Sequence, residues 1–336
     1  MAKMILMNMV TPPPDLAAIS ALQSKLVSAL RPILPEHALL WEPEDTIPYE
    51  CDGLAAYRRM PLAVALPETE EQVAQILKIC HVMQIPVVPR GSGTGLSGGA
   101  MPLSQGLVLS LAKLKKIISI DPFTRTAVVQ PGVRNLAISE AVAHLGLYYA
   151  PDPSSQIACS IGGNVNENSG GVHCLKYGLT LHNVLRVRGI LMNGEIVEFG
   201  SLAPDAPGLD LMAIMMGSEG MLAVVTEVTV KLVAKPKLAR VIMASFDDIE
   251  KGGNAVAAII AAGIIPAGLE MMDKATTRAV EEFVHAGYDL DAAAILLCES
   301  DGTPEEVAEE IERMTKVLEQ AGATGIQISK DEAERL

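Results

Sequence analysis

Pro86-Val87-Val88-Pro89-Arg90-Gly91-Ser92-Gly93-Thr94-Gly95-Leu96-Ser97-Gly98-Gly99 is the stretch on which the fold turns. Pro86 to Pro89 reads as a short strand, and Gly91 to Gly99 holds five glycines in nine residues. Glycine amides are not screened by a side chain, so successive N–H groups can curl into a concave nest for phosphate oxygens. Ser92, Thr94 and Ser97 add hydroxyl donors. Gly93-x-Gly95-x-x-Gly98 fits the letter of the dinucleotide fingerprint, but that fingerprint needs a helix opening in the loop. Gly99, Met101-Pro102 and Gly106 follow instead, which argues against a helix start. No Lys-Ser or Lys-Thr follows the last glycine, so a P-loop fails as well. A pyrophosphate nest and an unliganded turn remain.

About sixty residues on comes Pro151-Asp152-Pro153-Ser154-Ser155-Gln156-Ile157-Ala158-Cys159-Ser160-Ile161-Gly162-Gly163-Asn164-Val165-Asn166-Glu167-Asn168-Ser169-Gly170-Gly171. It reads as one long irregular segment, which is uncommon inside a compact domain unless it binds something. Its Asn, Ser and free amides suit a planar heterocycle and a polyol chain. It carries little charge, so it is not built for a metal.

Around these loops the pattern is regular. Helices are predicted over Asp15–Leu30, from Thr69 (a capping box with Gln72) and over Arg134–Leu145. Strands are predicted at Leu62–Leu66, Leu107–Leu111, Ile117–Ile120, Thr126–Gln130 and Leu222–Leu232. Val184–Met192 and Glu195–Phe199 flank Asn193-Gly194, a hairpin signal. Past Ala234 to Pro236 come a strand at Arg240–Phe246, a helix at Asp248–Ala262, a strand at Ala294–Cys298, a Thr303-capped helix to Gln320 and a strand at Ile326–Ile328. Such strand–helix units predict a small α+β sandwich. A further helix pattern opens at Lys330, and the sequence stops inside it, so the second domain is expected to be incomplete.

Bulk composition excludes several classes. The 336 residues suffice for two domains, and the net charge of −14 disfavours nucleic acid. The charge is uneven: the segment from Asp301 onward reads as a solvated acidic helix face. Five cysteines without a CxxC suggest neither a disulfide framework nor a zinc site, and reduced thiols predict a cytoplasmic protein. Met1 to Val10 runs into Thr11-Pro12-Pro13-Pro14 without a cleavage motif and is not read as a signal peptide. The longest apolar run, Ala255 to Leu269, is broken by Gly263 and Pro266 and is too short to span a bilayer comfortably.

The two loops, in this order and spacing, resemble the FAD-binding domain of the vanillyl-alcohol-oxidase superfamily (the PCMH type). Gly217-Ser218-Glu219-Gly220-Met221-Leu222-Ala223-Val224-Val225-Thr226-Glu227 resembles its closing strand, and Pro131-Gly132 a smaller contact. Gly93 to Gly99, Cys159 to Asn168 and Glu270-Met271-Met272-Asp273 are similar to the versions in the glycolate oxidase and D-lactate dehydrogenase group. The resemblance implies an α+β fold: a two-subdomain FAD-binding domain over 58–236, after an N-terminal helical segment over 1–57, then a partial ferredoxin-like substrate (cap) domain over 237–336. It implies FAD contacts at Pro89, Arg90, Gly91, Ser92, Gly93, Thr94, Gly95, Leu96, Ser97 and Gly98 in the first loop, and at Pro131 and Gly132. In the second loop it implies Pro151, Asp152, Ser154, Ser155, Cys159, Ser160, Gly162, Gly163, Asn164, Asn168, Gly170 and Gly171, with Glu219, Gly220 and Val225 on the closing strand.

Some members attach FAD covalently through a first-loop His; none lies between Arg90 and Gly99, so noncovalent FAD is expected. Cys159 is expected to be a small buried hydrophobe. The implied reaction is oxidation of a 2-hydroxy acid such as glycolate or D-lactate to the 2-oxo acid, by hydride transfer to flavin N5. The implied partners are a second flavin-fold subunit and an iron–sulfur subunit, with any membrane association arising through them. The catalytic base and the carboxylate-binding Arg are expected beyond Leu336. His173 follows the second loop and is not assigned as a base. Two alternatives stay open: an FAD-binding fragment without turnover, and another flavin alcohol oxidase or reductase on the same domain.

Overall fold

The computed structural model describes residues 16–203 and 208–335, so Met1 to Val10 and the expected helix start at Asp15 lie outside the described residues. Two compact units emerge: the residues up to Leu114 with Ile190–Val197, and Lys115–Gly189 with the residues from Glu198 onward.

In the first unit α1 (Leu16–Leu30) buries Leu26, Val27 and Leu30. After it come β1 (Leu39–Leu40), α2 (Pro43–Thr46), β2 (Ala63–Ala65), α3 (Glu70–Met83), β3 (Val87–Arg90) and β4 (Leu107–Ser110). The strands form one sheet in the order β1-β2-β4-β3, with β2, β4 and β3 parallel. α3 connects β2 to β3, which run parallel on either side of β4, so the connection has to cross over. It starts where the sequence predicts. Thr69 Oγ1 accepts the Gln72 amide at 3.2 Å and Gln72 Oε1 accepts the Thr69 amide at 3.3 Å, while Val73, Ile76, Leu77 and Cys80 fill the core. This wiring places Arg90 at the carboxyl end of β3, where the glycine-rich loop begins.

The second unit holds β5 (Ile117–Asp121), β6 (Thr126–Val129), α4 (Asn135–Val142), β7 (Leu147–Tyr148), α5 (Ile161–Glu167), α6 (Cys174–Tyr177) and α7 (Thr180–Asn183). Then follow β8 (Val184–Ile190) and β9 (Ile196–Gly200), whose hairpin tip Ile190–Val197 is counted with the first unit, and α8 (Leu211–Met215), β10 (Val224–Lys231) and β11 (Val233–Ala234). A five-stranded sheet runs β5-β6-β10-β8-β9, and β7 pairs with β11. The Asn193-Gly194 turn joins β8 to β9 with Gly194 at φ +81°, a conformation glycine adopts without steric cost.

The remainder is β12 (Leu238–Phe246), α9 (Ile249–Ala261), β13 (Gly268–Asp273), α10 (Lys274–Val284), β14 (Ala294–Gly302), α11 (Pro304–Gln320), β15 (Gly325–Ile328) and α12 (Glu332–Arg335). All pairings in this sheet are antiparallel and the order is β13-β14-β12-β15. With α9 and α11 as its two helices it is a ferredoxin-like unit carrying α10 as an insertion. Phe246, Ile259, Leu296, Cys298, Met314 and Leu318 form the centre of its core. Burial pushes the Cys298 thiol up to about 12, so it is an inert core residue.

Candidate functional site

The first loop is shaped by Arg90. Its side chain is buried, and Nη1 donates to the Cys51 carbonyl at 2.7 Å and the Ala100 carbonyl at 3.4 Å. The guanidinium also lies 5.6 Å from the Tyr49 ring centroid. Burial pulls its pKa below the ordinary value and Asp52 opposes that. Arg90, at the start of the loop, therefore anchors it to Cys51 and reaches across to Ala100 at its far end. Gly93, at φ +71°, passes so close that a Cβ there would overlap the Arg90 guanidinium. Gly53 makes a similar approach from the other side, where a Cβ would meet the Gly95 and Thr94 carbonyls at 2.8 and 2.9 Å. No helix begins in this loop, and the amides of residues 91–97 donate to nothing among the described residues. A run of unspent amides on a braced glycine loop suits a phosphate.

The second loop differs from its expectation. Within the stretch predicted to be irregular, Ile161–Glu167 is the helix α5. Gly162-Gly163 has poor helix propensity, which hides it from a local reading. Tertiary contacts enforce it: Ile161 N–H donates to the Val133 carbonyl at 2.8 Å and Gly162 N–H to the Pro131 carbonyl at 2.9 Å. Gly162 lies so near Pro131 that a Cβ would come within 2.6 Å of the Pro131 Cβ. Pro131 and Gly132 thus abut α5, and the sequence-predicted residues of both segments come together. Asn168, at φ +51°, ends the helix, and its Oδ1 accepts the Leu181 amide at 3.0 Å. Glu219, also left-handed at φ +53°, donates its amide to the Asn166 carbonyl at 2.9 Å, so the segment before β10 caps the far end of α5. Val225 sits in β10 with its side chain fully buried.

α5 retains polar capacity that the chain does not use. Ser160 is its N-cap residue, yet its hydroxyl makes no cap bond, and Ser160 Oγ, Asn164 Nδ2 and Asn166 Oδ1 are buried without a hydrogen-bond partner. Such groups cost about 1–3 kcal/mol each if left unmet. They are neutral donors and acceptors, which suits a ribityl chain or a heterocycle edge and not a metal. Cys159 is buried, and burial pushes its thiol pKa up, in keeping with a small hydrophobe.

The mouth of this loop is tied by charge. Asp152 Oδ2 meets His173 Nδ1 at 2.6 Å, and Asp152 Oδ1 accepts the His173 amide at 3.3 Å. A Cβ on Gly171 would overlap the Asp152 carbonyl, so only glycine allows the two ends to approach. His173 Nε2 lies 3.4 Å from Glu299 Oε1 on β14. Its bonds to Asp152 and Glu299 raise the imidazole pKa to about 10, so it is cationic at neutral pH and cannot accept a proton. Next to it Lys176 Nζ reaches Asp301 Oδ1 at 2.5 Å, and the Tyr177 hydroxyl donates to Asp301 Oδ2 at 2.6 Å. Burial and the Asp301 carboxylate hold Tyr177 protonated. Sequence reading did not single out Lys176, Tyr177, Glu299 or Asp301. The available signal was the i, i+2 pair Glu299 and Asp301, which shares one face of a strand that opens on the apolar run Ala294–Cys298.

An FAD binding domain model matches residues 61–200, and the model for the C-terminal domain of FAD linked oxidases matches residues 235–336. The chain belongs to the FAD-linked oxidase family. FAD is the cofactor of that family, and the donor sets of the two loops fit it. The chain is 59% identical over 314 residues to glycolate oxidase subunit GlcD of Escherichia coli (strain K12), across 94% of this chain and 63% of that protein. It is 31% identical to a D-lactate dehydrogenase of Anaerostipes hadrus, across 91% of this chain and 66% of that protein. It therefore spans under two thirds of these relatives. Among solved structures, p-cresol methylhydroxylase superposes with a TM-score of 0.78 at 21% identity, over 92% of this chain and 66% of that one, which extends the likeness of fold. Among the described residues no helix is long and apolar enough to cross a membrane.

Proposed function

We propose that this chain is the flavin-holding portion of an enzyme that oxidises a small 2-hydroxy acid, glycolate or D-lactate, to the 2-oxo acid. The 59% identity to a glycolate oxidase subunit supports this reading most directly. When bound, FAD supplies the hydride acceptor at N5. In this reading the first-loop amides hold the pyrophosphate while Arg90 keeps the loop in shape. Ser160, Asn164 and Asn166 on α5 supply hydrogen bonds to the ribityl chain and ring edge, and Pro131-Gly132 backs that helix. Residues 58–236 serve as the flavin domain, with 237–336 as part of the substrate domain. The first loop has no His, so FAD is held noncovalently. The base and the carboxylate-binding cation are not among the residues described above: His173 and Lys176 are both committed to carboxylates. Partners of the kinds implied by the resemblance, a second flavin-fold subunit and an iron–sulfur subunit, complete the proposal.

The test is a visible spectrum of the chain after incubation with FAD and desalting. Flavin bands that survive desalting and leave on acid precipitation support noncovalent FAD. Bands that stay with the acid pellet refute that part, and no bands at all refute the flavin role of this chain. Anaerobic glycolate or D-lactate that bleaches the bands assigns the substrate class, and a flavin that neither acid reduces removes the assignment for this chain.

A further inference from the structure

The Pro151–Gly171 loop is closed by one side-chain contact across its mouth, and that contact is shared with the C-terminal sheet. His173 stands between two carboxylates, with Nδ1 at 2.6 Å from Asp152 and Nε2 at 3.4 Å from Glu299. A carboxylate only accepts, so an imidazole facing one at each nitrogen fills both contacts only when both nitrogens carry protons. Glu299 is held in place by Arg335 of α12 at 3.2 and 3.3 Å. The neighbouring residue Val172 packs on β13, where a Cβ on Gly268 would meet its Cγ1 at 3.0 Å. Asp152, Gly170 and Gly171 belong to the loop, while Glu299 and Gly268 belong to the ferredoxin-like sheet.

We propose that His173 is a positioning residue for the flavin: as a doubly held imidazolium it closes the second loop on Asp152 and pins it to β14 through Glu299, and flavin retention weakens when it loses its charge. This inference rests on the flavin reading given above. The groups that face His173 are Asp152 from the loop, Glu299 from β14 with Arg335 behind it, and Tyr177 from α6, whose ring centroid is 6.5 Å away and edge-on. Beyond Tyr177 lie Tyr148, packed edge-on at 6.1 Å, and the Lys176–Asp301 pair. Tyr148 and Tyr177 are both raised above the ordinary tyrosine value and stay neutral while His173 titrates.

The experiment is an FAD titration of the full chain, followed by flavin fluorescence, from pH 7 to alkaline pH. It compares the unaltered protein with H173Q, H173R and E299Q. Gln keeps a hydrogen-bonding group without the charge, and Arg keeps a permanent cation. H173Q is expected to weaken FAD by about tenfold or more at pH 7, the scale of a lost charged hydrogen bond. H173R is expected to retain most of the affinity and to lack the alkaline weakening that the unaltered chain shows around pH 10. Any titration of FAD itself or of other groups persists in H173R and cancels in the comparison. E299Q removes one carboxylate while leaving Asp152 in place, so its alkaline step is expected at lower pH. It serves as the second variant if H173Q does not fold. If the unaltered chain takes up no FAD at pH 7, the flavin reading itself fails. If it does, and H173Q matches it while E299Q leaves the alkaline step unmoved, only the role of His173 is overturned.

Discussion

Gly162 and Gly163 are adjacent in one helix, yet the structure gives them opposite tolerances. A methyl group on Gly162 would lie 2.6 Å from the Pro131 Cβ, 3.1 Å from its carbonyl oxygen and 3.2 Å from its Cα. Ordinary carbon contacts need about 3.5 Å or more, so α5 must retreat from Pro131 by roughly 1 Å. That retreat strains the Gly162-to-Pro131 and Ile161-to-Val133 hydrogen bonds. Overpacking costs about 1–3 kcal/mol and a lost neutral hydrogen bond about 0.5–1.5, while alanine returns up to about 1 kcal/mol in helix propensity. Gly162→Ala should therefore destabilise by about 1–3 kcal/mol. A methyl on Gly163 meets only Ser160 Oγ at 3.4 Å, an ordinary contact, so Gly163→Ala should be neutral or stabilise by up to about 1 kcal/mol. Urea unfolding of both variants without added FAD reads the difference directly. Equal midpoints, or a more stable Gly162→Ala, would refute the claim that the approach of Pro131 to Gly162 is what forces this sequence into a helix.

Other expectations follow from the same contacts. Lys176→Met leaves Asp301, whose side chain is 4% exposed, without its cation, and should cost about 3 kcal/mol in urea unfolding, with Lys176→Arg milder; an undisturbed midpoint for Lys176→Met would sink this. Arg90→Met removes the bond to the Cys51 carbonyl and should raise protease cleavage between Gly91 and Gly99 and weaken FAD uptake, whereas unchanged cleavage would mean the loop does not depend on that brace. The His173 contribution to stability has a definite sign. Its folded value of about 10 lies above the ordinary 6.5, so its stabilisation is complete below about pH 6.5 and declines as pH rises toward 10. The midpoint difference between the unaltered chain and H173Q should shrink over that window, and a difference that grows would contradict it. Thr303→Ala removes the α11 capping box and should cost about 1 kcal/mol by thermal unfolding.

What a local reading of the sequence can reach is set by how far apart the determining contacts lie. The capping boxes at Thr69 and Thr303 and the turn at Asn193-Gly194 are encoded within four residues, and each forms where the sequence predicts. The first loop is equally local: its glycines and its Pro102 decide against a helix without help from elsewhere. α10 is not predicted from the sequence although signals for it are local: Asp273 caps it by accepting the Thr276 amide at 2.7 Å, and Val280, Phe283 and Val284 give it an apolar stripe, but that stripe is largely exposed and only Thr277 is buried along the helix. α5 went unread because its helicity depends on Pro131 and Val133 some thirty residues earlier. The least legible feature is the polar cluster at His173. Its partners Asp152, Glu299 and Arg335 are far apart in the chain, and no periodicity links them. A histidine after a glycine pair gives no local sign of whether it will be a base, a ligand or a cation. The two carboxylates that flank its ring decide it, because they remove the lone pair a base would need.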